Sequence, residues 1–323
     1  MSAKILVATS SKTRARQLAK ALRYLNRGVD ILVGDDEPIA SNNRYRLLVC
    51  ELGPRLADYQ RIVEHISEQA FVLLAVPDVA VELLPQLMQD PRVNHVLRRP
   101  AAVEDVQRIA DKLATGTIFG LDRYLPPQCD VNYRRVVTFD DRCSVVEELL
   151  EFAQRKRLRS AIRRAAGQAA EELLMNAMYQ APVEDGHRVF GDVEPSQRVR
   201  RRTPRPVSLR YGVSDERQLY LSVRDRYGSL HRDDLVRYLH RCTTEQVQIE
   251  RKKLGAGLGL FLIASTVSRL VINLLPGAVT EIICMFEQPS SDRPGGLCEF
   301  SFTAQRPLIP LTADTGEYIE VKR

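Results

Sequence analysis

From Lys4 onward, short apolar runs alternate with amphipathic stretches. KILVAT, VDILVG, YRLLVCEL, FVLLAVP and NHVLRRP read as strands. Between and after them, SSKTRARQLAKALRYL, DYQRIVEHISEQ, VELLPQLMQD and VEDVQRIADKLAT place their apolar residues at helical spacing. Strands apolar on both sides, separated by helices, imply a doubly wound parallel sheet covered on both faces. The rhythm breaks at IFGLDRYLPPQCDVNYRR, where two adjacent prolines predict a linker or a short extended connector. CSVVEELLEFAQRKRLRSAIRRAAGQAAEELLMNAMY then predicts one long helix or two. Further on, LYLSVRD, SRLVINLLP, VTEIICMF and CEFSFTA read as strands around an apolar helix opened by glycines. That order predicts helices layered on a mixed sheet, an α/β sandwich. The expected organisation is a first domain over 1–118, a linker over 119–140, a second domain over 141–310 and a tail over 311–323.

A chain of 323 residues is long enough for two cores, which fits that division. With 44% apolar and 27% charged residues, and no run approaching the ~20 apolar residues of a membrane span, no membrane partner is expected. The start MSAKILVATSSK places one lysine before a short strand rather than before an export signal, so a cytoplasmic location is expected. Cys50, Cys129, Cys143, Cys242, Cys284 and Cys298 form no C-x-x-C pair, and the five histidines are dispersed. Zinc and Ser/His/Asp chemistry are therefore not expected. Much of the net charge of +6 falls in VRRRTPRP, Val199 to Pro206. It reads as a solvated loop, and nucleic acid is not an expected partner. Asp35 and Asp36 read as solvated carboxylates in a turn.

Five strands between Lys4 and Leu113 fit the flavodoxin-like class. Pro54 after the third strand, and Arg99 with Pro100 after the fifth, make this segment resemble the receiver domain of two-component response regulators. Receivers carry an acidic pair at the end of strand one, where this chain has Thr9 and Ser10. Their phosphoacceptor aspartate stands four residues before the proline, where this chain has Cys50 followed by Glu51. Magnesium needs hard carboxylate oxygens and phosphoryl transfer needs an aspartyl nucleophile, so the resemblance implies a pseudo-receiver. Docking or dimerisation is its expected role; a charge on Glu51 that mimics the phosphorylated state is the alternative.

Three segments in the second half carry a different chemistry. In EELLMNAMY, Glu172 and Asn176 share one helix face, whereas Glu171 points about 100° away. LYLSVRDRYGSL is a strand ending at Asp225, followed by Tyr227 and Gly228. KKLGAGLGLFLIASTV places Gly255, Gly257, Leu258 and Gly259 at the start of an apolar helix, where amides and the helix dipole favour phosphate. Charged QIERKK before the glycines argues against a Rossmann loop, and no G-x-x-x-x-G-K-[ST] is present.

In this order and spacing the segments resemble the GHKL ATPases, the superfamily with the Bergerat nucleotide fold, over Ser160 to Phe302. The resemblance implies that Asn176 ligates magnesium, that Glu172 orients or deprotonates the attacking group, and that Asp225 accepts from the adenine amino group. It further implies that Gly228 lets the backbone pass the base and that Thr280 matches the family's late threonine. Here D-R-Y-G stands in place of the usual D-x-G-x-G. Tyr227 reads as core or as a residue over the base. The roughly 25 residues from Ser229 to Lys253 have the length of the family's mobile lid, with Lys252 and Lys253 placed to meet phosphates.

The expected cofactors are thus ATP and Mg2+. The expected activity is that of a cytoplasmic signalling regulator, a protein kinase acting on serine or threonine of a partner or an ATPase. The alternative is a non-catalytic, ATP-switched interaction module. No histidine lies between Asp140 and Tyr179, so histidine autophosphorylation is not expected. The resemblance extends loosely to anti-sigma-factor serine kinases. It implies a sigma-factor regulator or two-component protein as partner, with a second copy of the chain as a further candidate.

Overall fold

The computed structural model describes residues 4–25, 28–34, 45–51, 59, 62–63, 66–126, 128–191, 193, 197, 201–244, 257–288 and 295–305. It is an α/β structure containing mixed sheet. In chain order, β1 (Lys4–Thr9), α1 (Lys12–Leu22), β2 (Val29–Val33), β3 (Tyr45–Glu51), β4 (Phe71–Val76), α2 (Leu84–Leu87), β5 (Val93–Arg98) and α3 (Val103–Thr115) come first. Then follow β6 (Asn132–Val136), α4 (Phe139–Arg155), α5 (Ser160–Met175), a π turn (Asn176–Gln180) and the hairpin β7 (Val183–Glu184) and β8 (His187–Arg188). The chain continues through β9 (Val207–Val213), β10 (Leu219–Asp225), α6 (Arg232–Thr244), α7 (Gly257–Ala264), β11 (Arg269–Leu275), β12 (Val279–Phe286) and β13 (Glu299–Ala304). No described helix is long and apolar enough to cross a membrane.

Two compact units are distinguished. Unit 1 takes in the described residues of Met1–Val72, Ala101–Thr117 and Gln305; unit 2 takes in those of Leu73–Pro100 and Ile118–Ala304.

In unit 1 the wholly apolar Ile5, Leu6, Val7 and Ala8 make β1 the central strand, paired in parallel with β2 on one side and β3 on the other. Ser11 caps α1 by accepting from the backbone N–H of Arg14, and Ala15, Leu18, Ala19 and Leu22 bury its inner face at helical spacing. α3 buries Val106, Ile109, Ala110 and Leu113, and stops at Gly116 in the left-handed conformation. At the ends of β1 and β3, Thr9 and Cys50 are buried and Ser10 is exposed. The Thr9 hydroxyl accepts from the Ser11 N–H and donates to its carbonyl, and Cys50 is fully buried. Glu51, only 4% exposed, accepts from Arg14 Nε at 2.6 Å and Nη2 at 2.7 Å, and the same Nη2 donates to the Ala101 carbonyl. Ion pairing with Glu51 holds the Arg14 guanidinium charged more firmly than usual. Pro54, Asp35 and Asp36 lie outside the described residues.

Unit 2 departs from the expected division. β5 has β4 on one side, as expected, and on the other pairs antiparallel with β13 through Val96↔Phe300 and Leu97↔Glu299. From there the order is β13-β11-β12-β10-β9-β6, with β13 and β11 parallel and the remaining neighbours antiparallel. The segment expected to be a linker is part of this unit. Leu121 and Tyr124 pack in one cluster with Tyr220, Val271, Ile283 and Met285. The Gly120 N–H donates to the buried Glu281 carboxylate, which also accepts from Ser222 Oγ, and β6 pairs with β9. The helical run resolves into two helices. α4 starts in a capping box of Thr138 and Asp141 and ends before Arg157, whose positive φ turns the chain into α5. Gly167 then lets α5 approach Leu150 of α4.

Candidate functional site

α5 packs against β10, β12 and α7, which brings the three chemistry-bearing segments to one place. The helix widens into a π turn at Asn176, where the Ala181 N–H reaches back to the Asn176 carbonyl at 2.8 Å. Such turns re-aim side chains and recur at functional sites. Asn176, Asp225 and Thr280 all line one cavity of about 100 Å3. Leu173, Val223, Leu260 and Ile282 supply apolar wall.

Asp225 is the buried carboxyl group of this cavity, and Asp234 a second, half-buried one. Asp225 is only 6% exposed, and its Oδ1 accepts from the backbone N–H of Tyr227 at 2.8 Å and of Gly228 at 3.2 Å. Burial pushes its carboxyl above the ordinary range, and these backbone hydrogen bonds together with neighbouring Thr280 pull the other way. Thr280 stands opposite Asp225 in the β10–β12 register. Its hydroxyl lies close enough to Asp225 to favour the carboxylate, yet it is buried without a well-formed hydrogen bond among the described residues. A few polar groups converging on an otherwise apolar cavity are the usual make-up of a small-ligand site.

Gly228 turns the chain out of β10 with φ +58°. A Cβ there would lie 2.6 Å from the Ala278 nitrogen, and closer still to the Leu275 carbonyl oxygen. Only glycine fits against this turn.

Glu172 stands one helical turn before Asn176, outside the residues that line the cavity. Its carboxylate packs on Gly259 in the first turn of α7, at the place a Cβ of residue 259 would occupy. Burial first, then the charge of Glu171, raises its pKa, and Arg142 opposes both. Gly257 opens α7 and Leu258 follows it. Lys252, Lys253 and Gly255 lie outside the described residues, so their expected contacts with phosphate have no structural counterpart here.

Part of the expected lid is a packed helix. α6 buries Leu235 and Leu239, four residues apart, and lines the cavity with Asp234, Leu235 and Tyr238. Arg232 in its first turn donates to the carbonyls of Met88, Asp90 and Val93 at 3.1, 3.0 and 2.7 Å. Those bonds fix the wall helix to the stretch from the end of α2 to the first residue of β5. Tyr227 takes the core role: its hydroxyl accepts from the Arg205 N–H at 2.8 Å, and its ring lies under the Arg205 guanidinium rather than in the cavity. The arginine-rich loop is accordingly tied down at Thr203 and Arg205, while Arg201 and Arg202 are exposed.

Among the described residues no three His, Cys, Asp or Glu side chains converge as a metal cage. Oxygen donors at the cavity include the Asn176 amide and the Asp225 and Asp234 carboxylates. Magnesium takes such hard oxygen ligands and keeps water or ligand phosphates in its shell, so this donor set is chemically compatible with it. No protein-family model matches the chain, and no curated protein matches it.

Proposed function

We propose that unit 2 binds ATP with magnesium through a GHKL-type site. In this reading, a flavodoxin-like pseudo-receiver occupies the amino-terminal half. The observation that carries it is the convergence of Asn176, Asp225 and Thr280, from three separated segments, on one cavity. Asp225 would accept from the adenine amino group, with the Thr280 hydroxyl beside it. Asn176 would hold magnesium against the phosphates, and the amino terminus of α7 would face their charge. In unit 1 the pairing of Glu51 with Arg14 neutralises the charge that would mimic phosphorylation, which favours a docking role toward a signalling partner.

Calorimetry of ATP binding to the full chain, with and without magnesium, tests this reading. Magnesium-dependent binding that Asn176→Ala weakens by tenfold or more is the expected result. Binding that ignores both magnesium and Asn176 would overturn it.

Glu172 gives the site the means for turnover. An ionised carboxylate one turn before the magnesium ligand would take the proton from an attacking hydroxyl, and phosphoryl transfer is otherwise positioning and charge neutralisation. Because Glu172 is pushed up by burial and Glu171, the acid limb of the rate against pH is expected above the ordinary glutamate range. Glu171→Gln removes a charge that raises it, so the limb of ATP hydrolysis should move to lower pH. A limb that stays in place removes Glu172 from the role of base.

A second reading, a switch that binds ATP without transferring phosphate, is favoured by the seating of Glu172 on Gly259 outside the cavity lining. Glu172→Ala separates the two. A kinase loses output with ATP still bound, whereas a switch keeps it.

A further inference from the structure

The cavity has two ends that the chain itself defines. One is the α7 side, where Leu260 lines the cavity and Glu172 packs on Gly259 just outside the lining. At the other, Asp225 holds the N–H groups of Tyr227 and Gly228, and Ser229 Oγ donates to the Ala181 carbonyl at 2.8 Å. That bond stitches the exit from β10 to the exit from the π turn. The β7–β8 hairpin leaves from the same point and folds straight back, with the Val189 N–H on the Pro182 carbonyl. Its last residue, Arg188, lines the cavity, and its Nη1 donates to Gln180 Oε1 at 3.0 Å. Arg188 is the one cationic side chain among the described residues lining the cavity. It enters beside Gln180, next to the Ala181–Ser229 bond that ties the π turn to the exit from β10.

A lone arginine at a nucleotide cavity is ordinarily assigned to phosphate. Its position here argues otherwise. Where Asp225 takes the edge of a base, the sheet residues Val223 and Ile282 offer an apolar surface and Arg188 enters from the hairpin. A guanidinium is planar, weakly hydrated and stacks on aromatic faces, and a side-chain amide that accepts one of its N–H groups restrains its orientation. We propose that Arg188, held by Gln180, recognises the purine base by stacking on its face, and does not contact the phosphates. This rests on the nucleotide-binding reading given above.

The test compares adenosine, ADP and ATP as competitors of a fluorescent ATP analogue on the full chain with magnesium, for wild type, Arg188→Ala, Arg188→Lys and Gln180→Ala. The expected result for Arg188→Ala is a loss of roughly 2- to 30-fold, the size of a cation–π contact, and equal for all three ligands. Arg188→Lys should recover only part of that loss, since it keeps the charge and gives up the plane. Gln180→Ala should lose less, and adding it to Arg188→Ala should cost nothing more. A loss that grows from adenosine to ATP and is rescued by lysine would place Arg188 on the phosphates and overturn the proposal, as would unchanged affinity for all three. Failure of the wild-type chain to bind ATP at all would sink the nucleotide reading itself, and is read before any variant.

Discussion

Arg14→Ala is expected to destabilise unit 1 by about 3–5 kcal/mol, the cost of leaving one member of a buried ion pair without its partner. The side chains of Arg14 and Glu51 are 19% and 3% exposed, so the carboxylate depends on the guanidinium rather than on bulk water in the native chain. The same substitution also removes the donor to the Ala101 carbonyl, just before α3. A chain with two units need not unfold in one step, so urea denaturation of the full chain should be read with hydrogen exchange in β1 and β3. Protection there should fall while that of β10 and β12 holds. Replacing both residues by methionine should recover much of the loss, because two matched apolar side chains leave no charge stranded. Exchange in β1 and β3 that Arg14→Ala leaves unchanged would mean the pair contributes no more than a surface contact, well under about 1 kcal/mol.

That pair also marks where sequence reading stops. The apolar strands of unit 1 and the helical faces of α1 and α3 follow from periodicity alone. That the buried Glu51 is paired by an arginine 37 residues away does not, because nothing local links Arg14 to Glu51. The same limit applies to Arg232, whose three carbonyl partners come from a segment 139 residues and more earlier in the chain. β6 looks like a linker because an edge strand needs only one apolar side. Its alternation of exposed and half-buried residues, NYRRV, is also what a solvated connector shows.

Within the candidate site, Asn176 and Asp225 were readable because a helix face and a strand end fix where short side chains go. Thr280 depended on the β11–β12 turn, which sets it opposite Asp225. α6 was harder. Arg232, Asp233 and Asp234 in its first turn give it the charge of a mobile lid, and the buried Leu235 and Leu239 are too few to announce a packed helix. The roles of Gln180 and Arg188 come from the fold-back of a hairpin with two residues per strand, below the length at which a pattern can be recognised.

Gly228→Ala should produce the second large effect, and its size can be divided into parts. Holding an alanine at φ +58° costs about 1–2 kcal/mol from the backbone itself. Gly277 provides the comparison, for it has φ +72° and open space around the position a Cβ would take. Gly277→Ala is therefore expected to lose only that backbone cost. At Gly228 the added carbon would meet the Leu275 carbonyl, the Ala278 nitrogen and the Val279 nitrogen, all backbone atoms of the turn between β11 and β12. Backbone cannot rotate aside as a side chain can, so overpacking of about 1–3 kcal/mol is added. The displacement reaches the site directly. The Gly228 N–H is one of two that hold Asp225 Oδ1, and its carbonyl accepts from Gly277. Weakening that hold removes part of what favours the buried carboxylate, whose burial already raises its pKa. Gly228→Ala should thus lower both the stability of unit 2 and the affinity for ATP, while Gly277→Ala lowers stability alone. Equal losses of stability in the two variants would show that the turn yields without strain, and would remove steric fit as the reason for glycine at 228.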